Sequence, residues 1–420
     1  MEKTNINKYD YNILLWLFAA IPLVDFINGS IITMLNFGNE ISIGKFYRIF
    51  TIILIVYIIV KYSNKLEKKR HIVGMFITGL IIIAYLLIFF YYHRSFKGVI
   101  YDAVSISKLL LIFIIIYGMS FLYRKKLINI DIVNKIFNFY LVIFPFTMLV
   151  PYILGLGSPT YSSGLGYTGL YYANNDLSIV LLISTIYGLN SVIIKRNVKT
   201  IILFILNLIS LLLVGSKTGI LGLLIALLAY FIFYGKKVIK TKVISKKNIV
   251  IIAISFILLV GCILVLFYPV FNKMMDRLIY FYNKEGNIFA ALLSGREKFL
   301  SVAIKNLARE KFLAFKILFG VGFFYRNNWG KGRLVEMDLM DIFFSLGVIV
   351  AIVIVYYIVK LLYEMIKNLN EKNFVFFVCI SIVLLFSFIA GHVAFSALSG
   401  SILALMISGY YLCDFNNDFD

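Results

Sequence analysis

The side chains that could do chemistry gather in a few places along the chain. One is Ser294-Gly295-Arg296-Glu297. Its spacing predicts a capping box, with Ser294 as N-cap and Glu297 at the third helical position, and a helix running on to about Leu318. At about 100° per residue, Lys298, Lys305, Arg309 and Lys316 fall on one face of that helix, and Leu300, Ala303, Ile304 and Leu307 on the other. Such a basic face either lies on anionic headgroups or forms a cationic wall for a pyrophosphate or an acidic glycan. Arg296 falls in the first helical turn, where the helix dipole disfavours a cation. A residue placed against local preference points to function.

A second gathering is Val335-Glu336-Met337-Asp338-Leu339-Met340-Asp341, at the start of a long apolar run. Three carboxylates entering such a run are costly unless solvated or paired. They either complement a helix N-terminus or supply a general base or an acceptor ligand opposite the basic helix. Glu336 and Asp338 are two residues apart, so on a helix they diverge by about 160° and cannot both face one substrate. Glu336 precedes the apolar run and is assigned to the loop, as base or acceptor-hydroxyl ligand. Asp338 is expected to pair with a cation such as Lys217 or Arg296. Between these stretches, the glycines of Phe319-Gly320-Val321-Gly322-Phe323 permit a tight turn and close backbone approach to a ligand. No strand–helix–strand pattern surrounds them, so they are not a nucleotide fingerprint. Ionisable residues also sit inside or at the mouths of other apolar runs: Asp25, Lys45, Arg48, Lys108 and Lys217. Each could snorkel alone, but intramembrane charges are functional candidates, and five at one level suggest a shared site.

These residues are embedded in a chain of 420 residues that is 62% hydrophobic and 15% charged. A soluble domain has too little interior for that much apolar surface. A bilayer requires closed backbone pairing, and the runs do not alternate as barrel strands would, so helices are expected. Spans are read near 12–34, 46–61, 72–92, 104–122, 132–154, 177–194, 199–214, 218–235, 248–270, 339–360, 373–390 and 394–412. Clusters such as Lys65 to Arg70, Arg124 to Lys126 and Lys236 to Lys247 fall in alternate segments, while the segment 155–176 has no Lys or Arg. That alternation places both termini in the cytoplasm. The expected fold is an all-α polytopic membrane protein of about twelve transmembrane helices, with one large extracytoplasmic loop containing short amphipathic helices. The domains are 1–270, 271–338 for the loop, and 339–420. The net charge of +21 is accounted for by topology rather than nucleic acid. The cysteines Cys262, Cys379 and Cys413 and the histidines His71, His93 and His392 are scattered, with no disulfide framework, metal pattern or cofactor motif.

Several of these stretches resemble the bacterial O-antigen ligase and O-antigen/capsule polymerase (Wzy-type) superfamily. The similar stretches are Tyr172 to Asp176, Leu211 to Gly219, Ser294-Gly295-Arg296, Leu318 to Gly322, and the segment from Glu336 and Asp338 to Leu346-Gly347. Lys217 stands where that superfamily usually has arginine, and Glu336-Met337-Asp338 where ligases carry a histidine; the acidic version resembles the polymerases. The resemblance implies a metal-independent membrane glycosyltransferase in the inner or plasma membrane. It would move a growing glycan from undecaprenyl diphosphate onto the next lipid-linked repeat unit, at the outer face of the membrane. Glu336, Asp338 and Arg296 are then the catalytic candidates. Lys217, Arg309, Arg277, Arg48, Lys108 and Asn175 are the substrate-binding candidates, and a chain-length regulator and a flippase are possible partners. A ligase-like glycan transferase and a lipid-linked oligosaccharide flippase or other transporter are the competing readings.

Overall fold

The computed structural model describes residues 6–35, 42–160, 164, 166–241, 268–286, 293 and 295–414. Among them the regular structure is entirely helical. In chain order the helices are α1 (Lys8–Ala19), α2 (Ile21–Leu35), α3 (Ile43–Tyr62), α4 (Lys65–His93), α5 (Phe96–Arg124), α6 (Ile130–Ile153), α7 (Asn174–Lys195), α8 (Val198–Val214), α9 (Lys217–Thr241), α10 (Tyr268–Glu285), α11 (Arg296–Ala308), α12 (Leu313–Phe319), α13 (Asp338–Lys367), α14 (Phe374–Ala390) and α15 (Ala397–Asp414). A 3-10 segment, Tyr325–Gly332, lies between α12 and α13.

Among the described residues, seven helices are long and apolar enough to cross a membrane, or eight if α1 and α2, bent by 45°, form one span. α8, α14 and α15 are shorter apolar helices. Pro22 falls in the first turn of α2, where its missing N–H costs nothing. The expected span 248–270 lies outside the described residues, apart from the start of α10.

The chain divides into two compact units. The first comprises Met1–Tyr140 and Leu293–Asp420. Its centre is α5, which buries Ile106, Leu109, Leu111, Ile112, Ile115, Met119 and Leu122, with α3 and α15 packed along it. α4 is the opposite case: only 6% of its apolar window is buried, so most of its surface suits lipid. The second unit, Leu141–Leu292, centres on α7, whose apolar window is 78% buried and against which α8 and α9 pack. Its connection from α8 to α9 is a compact turn. Gly215 ends α8 in a left-handed conformation (φ 65°), and the Ser216 hydroxyl accepts the Gly219 N–H at 3.0 Å to cap α9.

The stretch from Arg296 to Gly332 departs from the expected single helix. α11 ends at Ala308, Phe312 adopts a left-handed conformation (φ 57°), and α12 starts anew. The cause is Glu310, whose carboxylate turns inward to Lys316 at 2.7 Å, the Tyr325 hydroxyl at 2.9 Å and the Trp329 indole N–H at 3.1 Å. Lys316 is thereby buried between the rings of Tyr92 and Tyr325 and does not share the basic face with Lys298, Lys305 and Arg309, which are exposed. Ala303 and Leu307 join Val321, Trp329, Val335 and Phe344 in a core beneath this region. Ile304, expected on the same stripe, is 53% exposed. Ser294 lies outside the described residues; the N-cap of α11 is Gly295, left-handed at φ 84° and without a side-chain cap.

The Gly320-Val321-Gly322 motif approaches backbone rather than a ligand. α13 breaks at Gly347 (φ 83°, ψ 172°). The carbonyls of Phe344 and Ser345 there accept the N–H groups of Val321 and Gly322, each at 3.0 Å. A Cβ on Gly320 would lie 2.3 Å from the Ser345 carbonyl oxygen, and one on Gly347 2.1 Å from that of Leu318. Both positions therefore require glycine. Together they fix the first turns of α13 against the 320–322 strap.

Candidate functional site

The first two turns of α13 organise the site through two carboxylates. Asp341 is buried and holds the connection that precedes the helix. Its Oδ1 accepts the Arg326 guanidinium at 2.6 Å and the Val335 N–H at 2.9 Å, and its Oδ2 accepts the Glu336 N–H at 3.0 Å. Arg326 is itself buried and also donates to the Ser345 hydroxyl at 2.8 Å. Asp338, one turn earlier, holds the connection between α14 and α15. It accepts the N–H groups of His392 at 2.7 Å, Val393 at 2.8 Å and Ala394 at 3.0 Å, and the Ser387 hydroxyl at 2.6 Å. The expected pairing of Asp338 with a cation is therefore corrected. Three backbone donors and a hydroxyl satisfy this carboxylate, and the positive end of α13 favours its charge.

The two connections meet at Gly391 (φ 59°), where a Cβ would lie 2.4 Å from the Glu336 carbonyl carbon. On either side of that contact, Glu336 (φ 62°) and His392 (φ 76°) both take left-handed conformations. Residues with a β-carbon rarely rest there unless the surroundings hold them, and such residues concentrate at functional sites. Glu336 Oε1 and His392 Nε2 are 3.9 Å apart, with both side chains about one-third exposed. Arg296, the first residue of α11, donates from Nη2 to Glu336 Oε2 at 3.0 Å and from Nη1 to the Leu293 carbonyl at 3.2 Å. His392 foremost, with the charge of Arg296, holds the Glu336 carboxyl below its ordinary range despite partial burial. The result is a cluster of guanidinium, carboxylate and imidazole open to one side.

A second anchor braces the neighbourhood. Asp102 on α5 accepts the N–H groups of Phe323 and Phe324 at 2.7 and 2.8 Å and faces His93 Nε2 at 3.2 Å. This fixes the chain leaving the glycine strap. Beside the cluster opens a cavity of about 440 Å³ between α5, α13, α14 and α15. Asp338, Ser387, Val393 and Ala394 form one part of its wall, and the rest is almost wholly apolar, from Leu109 and Phe113 to Leu361 and Ile407.

Of the residues expected from sequence, the structure brings Arg296 and Glu336 into direct contact, with Asp338 behind them as an anchor. Arg309 is exposed at the end of α11. Arg48 lines a separate small cavity of about 10 Å³ with Asp25, Tyr47 and Ser401, and Lys108 is half-buried on α5. In the second unit Asn175 is exposed in the first turn of α7, Lys217 is the half-buried first residue of α9, and Arg277 falls within α10. Ser178 and Thr218 hydroxyls hydrogen-bond at Ser216, beside Lys217. The sequence reading missed His392, Arg326 and Asp102. A signal for His392 existed: Gly391-His392 interrupts two apolar runs, and the alternation of spans puts that gap at the same end as Glu336.

No curated protein and no solved structure matches this sequence. The profile of one membrane-protein family does, over residues 7–288 and 279–418, taking in every residue of the cluster. The chain belongs to the O-antigen ligase like membrane protein family.

Proposed function

We propose that this protein is a polysaccharide repeat-unit polymerase, which moves a growing glycan from polyprenyl diphosphate onto the next lipid-linked repeat unit at the outer face of the cell membrane. The observation that carries this reading is the Arg296–Glu336–His392 cluster beside the apolar cavity. A lipid-linked glycan needs both environments: a cation for the diphosphate leaving group and a dry groove for the isoprenoid chain. Arg296 is the diphosphate ligand, and its ion pair with Glu336 keeps the guanidinium oriented before substrate arrives. Glu336 and His392 face the acceptor hydroxyl. Arg309 is a further proposed diphosphate ligand. The proposed topology is twelve spans with both termini cytoplasmic; a flippase would deliver the substrate and a chain-length regulator would attend the product.

A ligase-like transfer to a different acceptor is favoured by one observation. His392 restores to the site the histidine that the resemblance associates with ligases. Gene deletion followed by glycan electrophoresis separates the readings. A retained single-repeat band without the ladder supports polymerase; a ladder that forms but stays on the lipid carrier supports ligase; loss of all outer repeats indicates transport. Topology is tested with cysteines in place of Lys68, Lys125, Lys240 and Lys367, expected inside, and of Leu165, Glu285 and Gly330, expected outside. Labelling at position 240 by an impermeant thiol reagent in intact cells defeats that arrangement.

A further inference from the structure

The stretch from Phe312 to Phe324 belongs to the loop expected outside the membrane, yet its 13 residues carry a single charge, Lys316. That is too short to cross a bilayer and is the length of a re-entrant segment. Its depth is set against α4. The apolar run of α4 from Ile72 to Tyr92 is about 31 Å long, the thickness of the hydrocarbon layer. Tyr92 then marks one interface, and Tyr85 lies about 10 Å inside it. Phe319 meets the Tyr85 ring edge-on, 6.3 Å between centroids, and the Tyr85 hydroxyl donates at 3.2 Å to the Leu346 carbonyl, beside the break in α13. Lys316 reaches back towards the interface, to Glu310 and the face of Tyr92, as a snorkelling cation does. Ala314, Phe315 and Leu318 fall within about 100° on α12, on the side away from Lys316, and all three are exposed, as is Phe312.

The backbone is paired as hydrocarbon requires. From Gly320 to Phe324 the chain is not helical, but each of its five consecutive N–H groups has an acceptor within the protein. Gly320 donates to Lys316, Val321 to Phe344, Gly322 to Ser345, and Phe323 and Phe324 to Asp102. A loop bathed in water can leave such donors to solvent; non-helical backbone at membrane depth cannot.

We propose that α12 and the 320–322 strap form a re-entrant element that dips into one leaflet, with Phe312, Phe315 and Leu318 against phospholipid acyl chains. The leaflet is the outer one under the topology proposed above. The occupant of this face is lipid because the face continues the lipid-suited surface of α4, only 6% of whose apolar window is buried, and because exposed Lys311 directly precedes it, at the level where phosphates lie. The element also fixes the depth of the candidate site. Its strap is bonded to Phe344 and Ser345 of α13, whose first turns carry Asp338 and Asp341.

The test places the full-length protein, its three native cysteines replaced by alanine, in vesicles of phosphatidylethanolamine and phosphatidylglycerol. Single cysteines at Phe312, Phe315 and Leu318 carry spin labels, and collisions with oxygen, which concentrates in hydrocarbon, are compared with collisions with a water-soluble nickel chelate. Labels at Ile83 and Leu87, exposed on α4, give the lipid reference, and labels at Lys305 and Asn328, exposed on α11 and the 3-10 segment, give the water reference. Labels at 315 and 318 should fall in the range of the α4 references, rich in oxygen and poor in nickel, with 312 nearer the interface. Should a label at Phe315 destabilise the protein, Ala314 on the same face replaces it. Nickel access at 315 and 318 equal to that at 305 overturns the proposal, because the element then sits in water. Low access to both reagents also overturns it, because protein, from a second copy or another chain, then covers the face. The profile requires no turnover, so either failure leaves the glycan-transfer reading standing.

Discussion

Replacing Asp341 by asparagine should be among the most damaging changes to the site, although Asp341 faces no substrate. The carboxylate is 4% exposed and its partner Arg326 is 1% exposed. Asn removes the negative charge and turns one of two accepting oxygens into a donor. Arg326 then stays buried without its counter-charge, and either Val335 or Glu336 loses the acceptor for its N–H. Breaking one side of a buried pair costs about 3–5 kcal/mol, and a stranded buried donor about 1–3 kcal/mol. These overlap, so a loss of about 3 kcal/mol is a fair expectation. At about 2–4 °C per kcal/mol for domains of this order, thermal unfolding in detergent should fall by roughly 6–12 °C. Glycan transfer should fall by about 10²-fold or more, because a displacement of about 1 Å at Glu336 suffices for that. The control is the pair Asp341→Leu with Arg326→Met, which removes both charges and leaves neither stranded; it should be more stable than either single variant. An Asp341→Asn protein that melts within about 2 °C of wild type and keeps its activity would refute the claim that this ion pair holds Glu336 in place.

Arg296→Ala should abolish transfer at normal protein level, and Arg296→Lys should recover only part of it, because an ammonium cannot reproduce a bidentate guanidinium contact; activity assays with blotting check both. Gly347→Ala should give little folded protein, since its Cβ would lie 2.1 Å from the Leu318 carbonyl oxygen at a φ of 83°; the check is the monodisperse yield in detergent. The lowered pKa of Glu336 fixes the sign of a pH effect. The stabilisation from its ion pairing is present above the unfolded value, taken as the ordinary 4.5, and is lost as pH falls through the depressed folded value. Relative to the intrinsic exchange rate at each pH, hydrogen-exchange protection of residues 333–337 should therefore hold from pH 8 to about 5 and decline below about 4.5, whereas Glu336→Gln should show a somewhat lower protection without that decline.

Contiguous apolar runs made the membrane helices legible: the reading at 46–61 became Ile43–Tyr62 and that at 177–194 became Asn174–Lys195. Hydropathy could not reveal the break inside α13, because Gly347 interrupts a run that is apolar on both sides. The same limit explains the helix expected from Arg296 to Leu318. Its periodicity continues across residues 309–312, while the cause of the break, Glu310, finds its partners at Tyr325 and Trp329. Arg296 and Glu336 were legible because each is a charge out of keeping with its place, one at a helix start and one at the mouth of an apolar run. His392 was marked only by the gap in its apolar run; its contact with Glu336 was not legible, since 56 residues separate the two and the contact depends on two loops meeting at a glycine.

The acidic cluster at the head of α13 shows why charge counting misassigns roles even where it finds the site. Pairing each acid with a base is the natural expectation, because side-chain charges are visible in sequence and backbone donors are not. The structure meets Asp338 almost entirely with backbone N–H groups and shares Asp341 between Arg326 and two more. Each carboxylate thus absorbs the unpaired donors of one connection. Both lie in the first turns of a helix whose positive end favours them, so burial is sustained with one cation for two acids. The third acid, Glu336, belongs to a connection held in this way, and so does His392. Both are therefore held by groups that do not need to move during a reaction. That division, with two acids fixed as anchors and one acid and one histidine left partly exposed, separates the residues whose loss should change the fold most from those whose loss should change chiefly the chemistry.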